Sequence, residues 1–290
     1  MTTAPYHSDI DSVLAVWRQG DVVLGEHFFL HVADLVRPLT TETAQTAQDH
    51  GIDTSQSVPE RGAVWSEAPG VVVITQTCDI VRTCSERPYL EIAPLVQLEA
   101  DFVEEVRRLR RPAWAYVPGV ADQNLVADLD RVMTIEKSLL LDWERVQGCH
   151  TDEERRNFAD ALARKRNRPA FPDDFSDARD GALRAFRRRL QEKHNRNSAE
   201  GAHLRALREI RVRAAPDWSA PIVYLTFWYI REHQPQGFDA EWSKWVASWE
   251  DLIDQNGRYR IEASIPCQLR DLTAQDYVES DRLEFDQLSA

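Results

Sequence analysis

Apolar residues follow two different rhythms along this chain. Up to about residue 145 they come in short runs and alternations, the period of strands. Beyond residue 150 they recur mainly at helical spacing. Residues 9–17 predict a short helix, with Ile10, Val13, Leu14 and Trp17 on one face. Gly20-Asp21 breaks it, and residues 22–31 read as a strand. Residues 38–59 are rich in Thr, Gln and Asp and read as a polar loop. Strand signals resume at 63–65 and 71–75, and the second is a β-branched run suited to a strand buried on both faces. Residues 88–95 alternate as a strand, and residues 98–111 fit a helix stopped by Pro112. Residues 114–117 and 125–135 are again strands, with a tight turn near 128–131. Five or six short strands with one inserted helix suggest a small barrel.

The second half predicts α-α-α-β-β-α-β-α. Thr151 and Glu154 form a capping box that opens a helix over 152–166. Pro169 and Pro172 kink the connector that follows. An Arg-rich helix lies within 175–194, and Ser198 caps another to about residue 208. Residues 210–213 and 222–230 read as an antiparallel pair. A helix over 238–253 places Trp242, Trp245, Trp249 and Leu252 on one face, a core pattern. A strand over 258–265, a helix capped by Thr273 and an acidic tail complete the chain.

Composition then bounds the class. With 290 residues, 43 % hydrophobic and 29 % charged, the chain is an ordinary globular protein of one large or two smaller domains. No apolar run approaches the roughly 20 residues of a membrane span. Residues 1–11 hold acids and no apolar core, so no secretory signal is expected and the cytoplasm is the expected compartment. The formal net charge of −13 is unevenly spread: −11 over residues 1–150, +6 over 151–215 and −8 beyond. The basic middle is nearly all arginine, suited to bidentate pairing with carboxylate or phosphate. Two readings stand: a face for nucleic acid or an acidic partner, or helical faces that pair with the chain's own acids. In the first reading the binding residues are Arg131, Arg184, Arg187, Arg188 and Arg189.

The densest polar string is Thr75-Gln-Thr-Cys-Asp-Ile-Val-Arg82, at the end of the buried run. Thr75, Cys78, Asp79 and Arg82 are the candidate catalytic residues. Cys78 beside Asp79 suits a nucleophile if His27, His31 or His150 lies near. Thr75, Asp79 and Arg82 equally suit capture of a phosphate or a partner carboxylate, and a purely structural turn is the third alternative. Cys78, Cys84, Cys149 and His150 depart from zinc spacing, since the first gap is C-x5-C, and the cysteines read as small free thiols. Asp173-Asp174 reads as charge at a helix N-terminus rather than a metal pair. No phosphate-binding loop, dinucleotide fingerprint, zinc-protease or nucleophile-elbow motif is present. No cofactor or metal is expected.

Three pieces of the first half occur in the order of a known family. They are Gln19-Gly-Asp-Val-Val-Leu24, Pro69-Gly-Val-Val-Val-Ile-Thr75, and the segment from Leu125 through Asp130-Arg131 to Ile135-Glu-Lys137. They resemble the opening, central and closing strands of the PemK/MazF toxin–antitoxin ribonucleases. The resemblance covers residues 16–141 and implies an SH3-like β-barrel. The expected fold is therefore α+β: an N-terminal SH3-like barrel over 1–147, then Arg-rich helices and a C-terminal α+β part over 148–290. The family's Arg before the central strand is replaced by Trp65-Ser-Glu-Ala-Pro69, and its Ser or Thr after the next strand is missing from Ile92-Ala-Pro-Leu-Val96. The resemblance thus implies a nucleic-acid- or partner-binding component of a toxin–antitoxin or phage-defence system. The alternative is a nuclease with its site displaced to Thr75–Arg82. RNA, DNA, an antitoxin-like or defence-complex protein, and a second copy of the chain are the partners it implies.

Overall fold

The computed structural model describes residues 7–167, 170–231 and 241–283. Expectations for residues 1–6, 168–169, 238–240 and the acidic tail from 284 lie outside them. Contacts divide the chain into two units, residues 1–167 and 168–290.

The first unit runs α1 (His7–Leu14), β1 (Val22–Asp34), α2 (Thr41–Asp49), β2 (Arg61–Val73), α3 (Thr77–Ile80), β3 (Tyr89–Gln97), α4 (Ala100–Arg107), β4 (Trp114–Tyr116), β5 (Leu125–Asp128), β6 (Met133–Glu136) and α5 (Asp152–Arg166). Short 3₁₀ helices at Pro118–Gln123 and Lys137–Leu141 join some of these. The sheet is antiparallel in the order β1-β2-β3-β5-β4, with β6 also on β3. Val71 and Val73 point into one layer with Ile10, Leu14 and Trp17 of the N-terminal segment. Val72 and Ile74 point into the other with Ala93, Leu95, Phe158 and Ala161. The β-branched run is therefore buried on both faces, as its composition predicts. Each fully buried Val or Ile contributes roughly 1.5–3 kcal/mol, which fixes the register of this strand firmly.

The closed SH3-like barrel is not formed, and this corrects the expectation drawn from the PemK/MazF resemblance. β3 divides its outer edge: Tyr89–Ile92 pair with β6 and Leu95–Gln97 pair with β5. No ladder then returns to β1 among the described strands. Where closure would occur, the Leu30 N–H meets the Met133 sulfur at 3.5 Å rather than a main-chain carbonyl. The sheet stays open. β2 pairs with β3 only over Val71–Val73, so the remainder of β1 and β2 projects as a two-stranded ribbon. A bulge between Leu24 and His27 bends β1 where Gly25 takes φ +124°, a conformation that requires glycine. A side chain at Gly70 would lie 2.6 Å from the Val23 carbonyl, so the two strands approach closely there.

Two further differences concern helices. The Thr- and Gln-rich stretch expected as loop contains α2. Thr40 Oγ1 accepts the Thr43 N–H, and Ala47 buries against Leu35 and Val64. Capping and one small apolar contact overcome modest propensity there. α5 carries the expected capping box, and its Phe158 and Ala161 bury in the first unit's sheet layer. It therefore belongs with the strands before it.

The second unit runs α6 (Asp173–Ser176), α7 (Arg184–His194), α8 (Ala199–Ala206), β7 (Leu207–Ala215), β8 (Val223–Arg231), α9 (Trp242–Glu250), β9 (Tyr259–Gln268), α10 (Ala274–Glu279) and β10 (Asp281–Leu283). Its sheet has the order β10-β7-β8-β9, with β8 and β9 parallel. A parallel pair needs a crossover, and α9 lies within it. Val223, Leu225, Phe227 and Tyr229 join Trp242, Val246, Trp249 and Ile253 in the core, while Trp228 and Ile230 cover the opposite face with Cys267. The tryptophans are core, but Val246 and Ile253 are buried where Trp245 and Leu252 are only partly so. The chain is α+β with open sheets in both units.

Candidate functional site

The Thr75–Arg82 string sits at the end of β2, and its main chain is gripped from outside. Thr75 Oγ1 accepts the Glu91 N–H at 2.6 Å. The Glu91 carbonyl in turn accepts from the N–H groups of Ile74 and Thr75. Gln19 donates its amide to the Ile74 carbonyl at 2.7 Å, and its main-chain N–H goes to Thr77 Oγ1 at 3.1 Å. These bonds end the strand sharply and start α3.

Lys137 holds the other end. Its side chain is 1 % exposed, and Nζ donates to the carbonyls of Asp79 at 3.0 Å and Arg82 at 2.8 Å. A cation at the carbonyl end of a helical turn is favourably placed. Burial lowers the Lys137 pKa, opposed by Cys84, Asp11 and Asp79 nearby. Asp11 accepts the Cys84 N–H at 2.8 Å. The Cys84 thiol is pushed up to about 11, first by burial and then by Asp11. It stays protonated at neutral pH.

A cavity of about 460 Å³ opens beside this turn. Gln19, Ile74, Thr75, Gln76 and Asp79 line one side. Arg87, Tyr89, Leu90 and Glu91, together with Thr134 of β6, line another. Ala159, Leu162, Ala163 and Arg166 of α5 line a third side, and the cavity is open to solvent. Arg166 reaches Glu91 at 3.4 Å, and Asp79 pairs with Arg82 at 3.5 Å. Arg87 makes no ion pair with any described residue. Of the four residues anticipated here, Thr75 and Asp79 line the cavity, whereas Cys78 and Arg82 lie outside its lining.

Cys78 is exposed, and its Sγ lies 3.7 Å from Gln76 Oε1. The histidines considered as its base are engaged elsewhere. His27 stacks edge-on against Trp143 at 5.1 Å, and His31 approaches Thr43 Oγ1 at 3.5 Å. His150 heads α5, with its N–H on Glu154. Among the described residues no three His, Cys, Asp or Glu side chains gather as a metal site, so Cys78, Cys84, Cys149 and His150 are not assembled as one. Cys149 and Cys267 are buried, and burial pushes both thiols up to about 12.

Four of the five arginines expected to bind partners make short contacts within the chain. Arg131 pairs with Asp128 at 2.7 Å in the turn between β5 and β6. In the second unit Arg184 donates to the Arg179 carbonyl at 3.1 Å and Arg187 to the Ser176 carbonyl at 2.5 Å. Burial lowers the Arg187 pKa. Arg189 pairs at 2.8 Å with Glu200, a buried carboxylate that also accepts from Trp249 Nε1 at 3.3 Å. Arg188 is exposed and lies 3.9 Å from Glu192. Asp174 is taken by Arg258 at 2.7 Å and by the Tyr259 hydroxyl at 2.7 Å. The Arg258 hydrogen bond, more than any other influence, holds its carboxyl down at about 2.

Lys137, Arg87, Glu91 and Arg166 were not singled out from the sequence. Lys137 stands between Glu136 and Ser138, an ordinary polar setting, so its neighbours in sequence give no sign of its burial.

No helix among the described residues is long and apolar enough to cross a membrane. No family model and no curated protein matches the chain. With the sheet open as well, nothing ties the chain to the PemK/MazF family, to a toxin–antitoxin or phage-defence role, or to a displaced nuclease site, and those readings are withdrawn.

Proposed function

We propose that the first unit is a small-molecule binding module whose ligand occupies the cavity at the end of β2. The observation that carries this reading is the cavity itself, bordered by a turn already fixed by outside bonds. About 460 Å³ falls within the roughly 300–1,000 Å³ of ligand sites. Ile74, Leu90, Ala159, Leu162 and Ala163 supply apolar wall, and Thr75, Gln76, Asp79, Arg87 and Tyr89 supply a few polar contacts. Lys137 and Gln19 fix the main chain beneath them, so little ordering is needed on binding. Cys78 and Arg82 would act from the rim.

Amide chemical shifts of the labelled protein, recorded against a fragment library, test this. Hits are expected to move Ile74–Gln76, Glu91 and the last two turns of α5. If no fragment moves those amides while others bind elsewhere, the reading fails.

A further inference from the structure

We infer that the ligand of this cavity is a zwitterion of the α-amino-acid type with an aliphatic side chain. The inference rests on the binding reading above. The charged lining consists of two guanidinium groups, Arg87 and Arg166, and two carboxylates, Asp79 and Glu91. A simple anion entering the cavity meets both carboxylates. A simple amine meets both guanidinium groups. A ligand that carries both charges on adjoining atoms satisfies each set without leaving the other opposed by a like charge.

The existing pairs leave room for such a ligand. Arg166–Glu91 at 3.4 Å and Asp79–Arg82 at 3.5 Å are longer than the roughly 2.7–2.9 Å of a well-made charged hydrogen bond. All four side chains are substantially exposed, so opening either pair sacrifices little. Arg87 needs no pair broken before it accepts a carboxylate. The lining is also aliphatic in part, with Ala159 and Ala163 one turn apart on α5, Leu162 beside them, and Ile74 at the end of β2. Small side chains there leave space for an apolar ligand group. Tyr89 and the Gln76 amide add neutral polar contacts.

Titration calorimetry with four probes decides the matter: L-leucine, 4-methylpentanoate, 3-methylbutylamine and inorganic phosphate. The two organic half-ligands each lack one charge of leucine. Leucine is expected to bind at least tenfold more tightly than any of the other three. Arg87→Ala and Asp79→Asn should each weaken leucine at least tenfold with unchanged melting temperature. Asp79→Asn should tighten the weak binding of 4-methylpentanoate, which then meets one carboxylate fewer. Equal binding of 4-methylpentanoate or phosphate overturns the zwitterion and leaves the binding reading intact. So does failure of all four probes when fragments still shift the cavity amides. If neither probes nor fragments reach the cavity, both readings fall together.

Discussion

The cavity of the first unit and the core of the second hold their cations differently. In the second unit three arginines are tightly held: Arg187 on a carbonyl, Arg189 on buried Glu200, Arg258 on Asp174. At the first unit's cavity one buried lysine holds the main chain, while Arg166 and Arg82 are loosely paired and Arg87 makes no ion pair among the described residues. The contrast shows why segment charge misleads. The net +6 of residues 151–215 covers both Arg189, spent on buried Glu200, and Arg166, loosely held at the cavity of a unit drawn mostly from the acidic end. What matters is whether a charge still has an unfilled partner, which depends on geometry rather than on counting.

Lys137→Met breaks the comparison most severely. It leaves the Asp79 and Arg82 carbonyls without their donor, and each unsatisfied buried group costs about 1–3 kcal/mol. A loss of about 2–4 kcal/mol is expected in urea unfolding, with fast amide exchange appearing at Ile80 and Val81. Stability within about 0.5 kcal/mol of the parent would show the ammonium to be dispensable. Arg189→Ala is the matching test in the second unit. It strands the Glu200 carboxylate with Trp249 Nε1 as its remaining donor, for a loss of about 1–3 kcal/mol. The double variant Arg189→Ala/Glu200→Gln should recover much of it.

Asp174→Asn acts on an exposed pair, so at neutral pH it costs under about 1 kcal/mol. Its signature lies at low pH. The folded carboxyl is held at about 2, below the ordinary aspartate value, so the stabilisation is complete above that ordinary value. It is lost as the pH falls toward 2. The variant should therefore flatten the acid limb of the stability curve in that interval, and an unchanged limb refutes the role given to Arg258. Arg188→Ala should do least, within about 0.5 kcal/mol, because its only described carboxylate partner is an exposed one 3.9 Å away. A larger loss would mean that α7 relies on its outward charges after all.

Much of this arrangement was legible in the residues. The β-branched Val71–Ile74 run announced a doubly buried strand, and Thr151 with Glu154 announced the start of α5. The placing of the Thr75–Arg82 string at a buried strand's end was legible from the apolar run before it. Barrel closure was not legible, because strand patterning reports which face is buried and says nothing of where an edge finds a partner. The same limit hid the cavity. Arg166 and Glu91 are 75 positions apart and meet only because α5 lies across the sheet. Lys137 was hidden by a different cause: its role is directed at main-chain carbonyls, which leave no trace in the identity of the residues that carry them.

Three outside supports of the Thr75–Arg82 turn, from Lys137, Gln19 and Asp11, end on main-chain atoms of residues 74–84. Main-chain atoms survive substitution. Gln76, Cys78, Asp79 and Arg82 can therefore be exchanged while the turn keeps its path. A library randomised at those four positions should yield mostly folded members that differ in what they bind. The site is built so that its vocabulary can be rewritten without redrawing its outline.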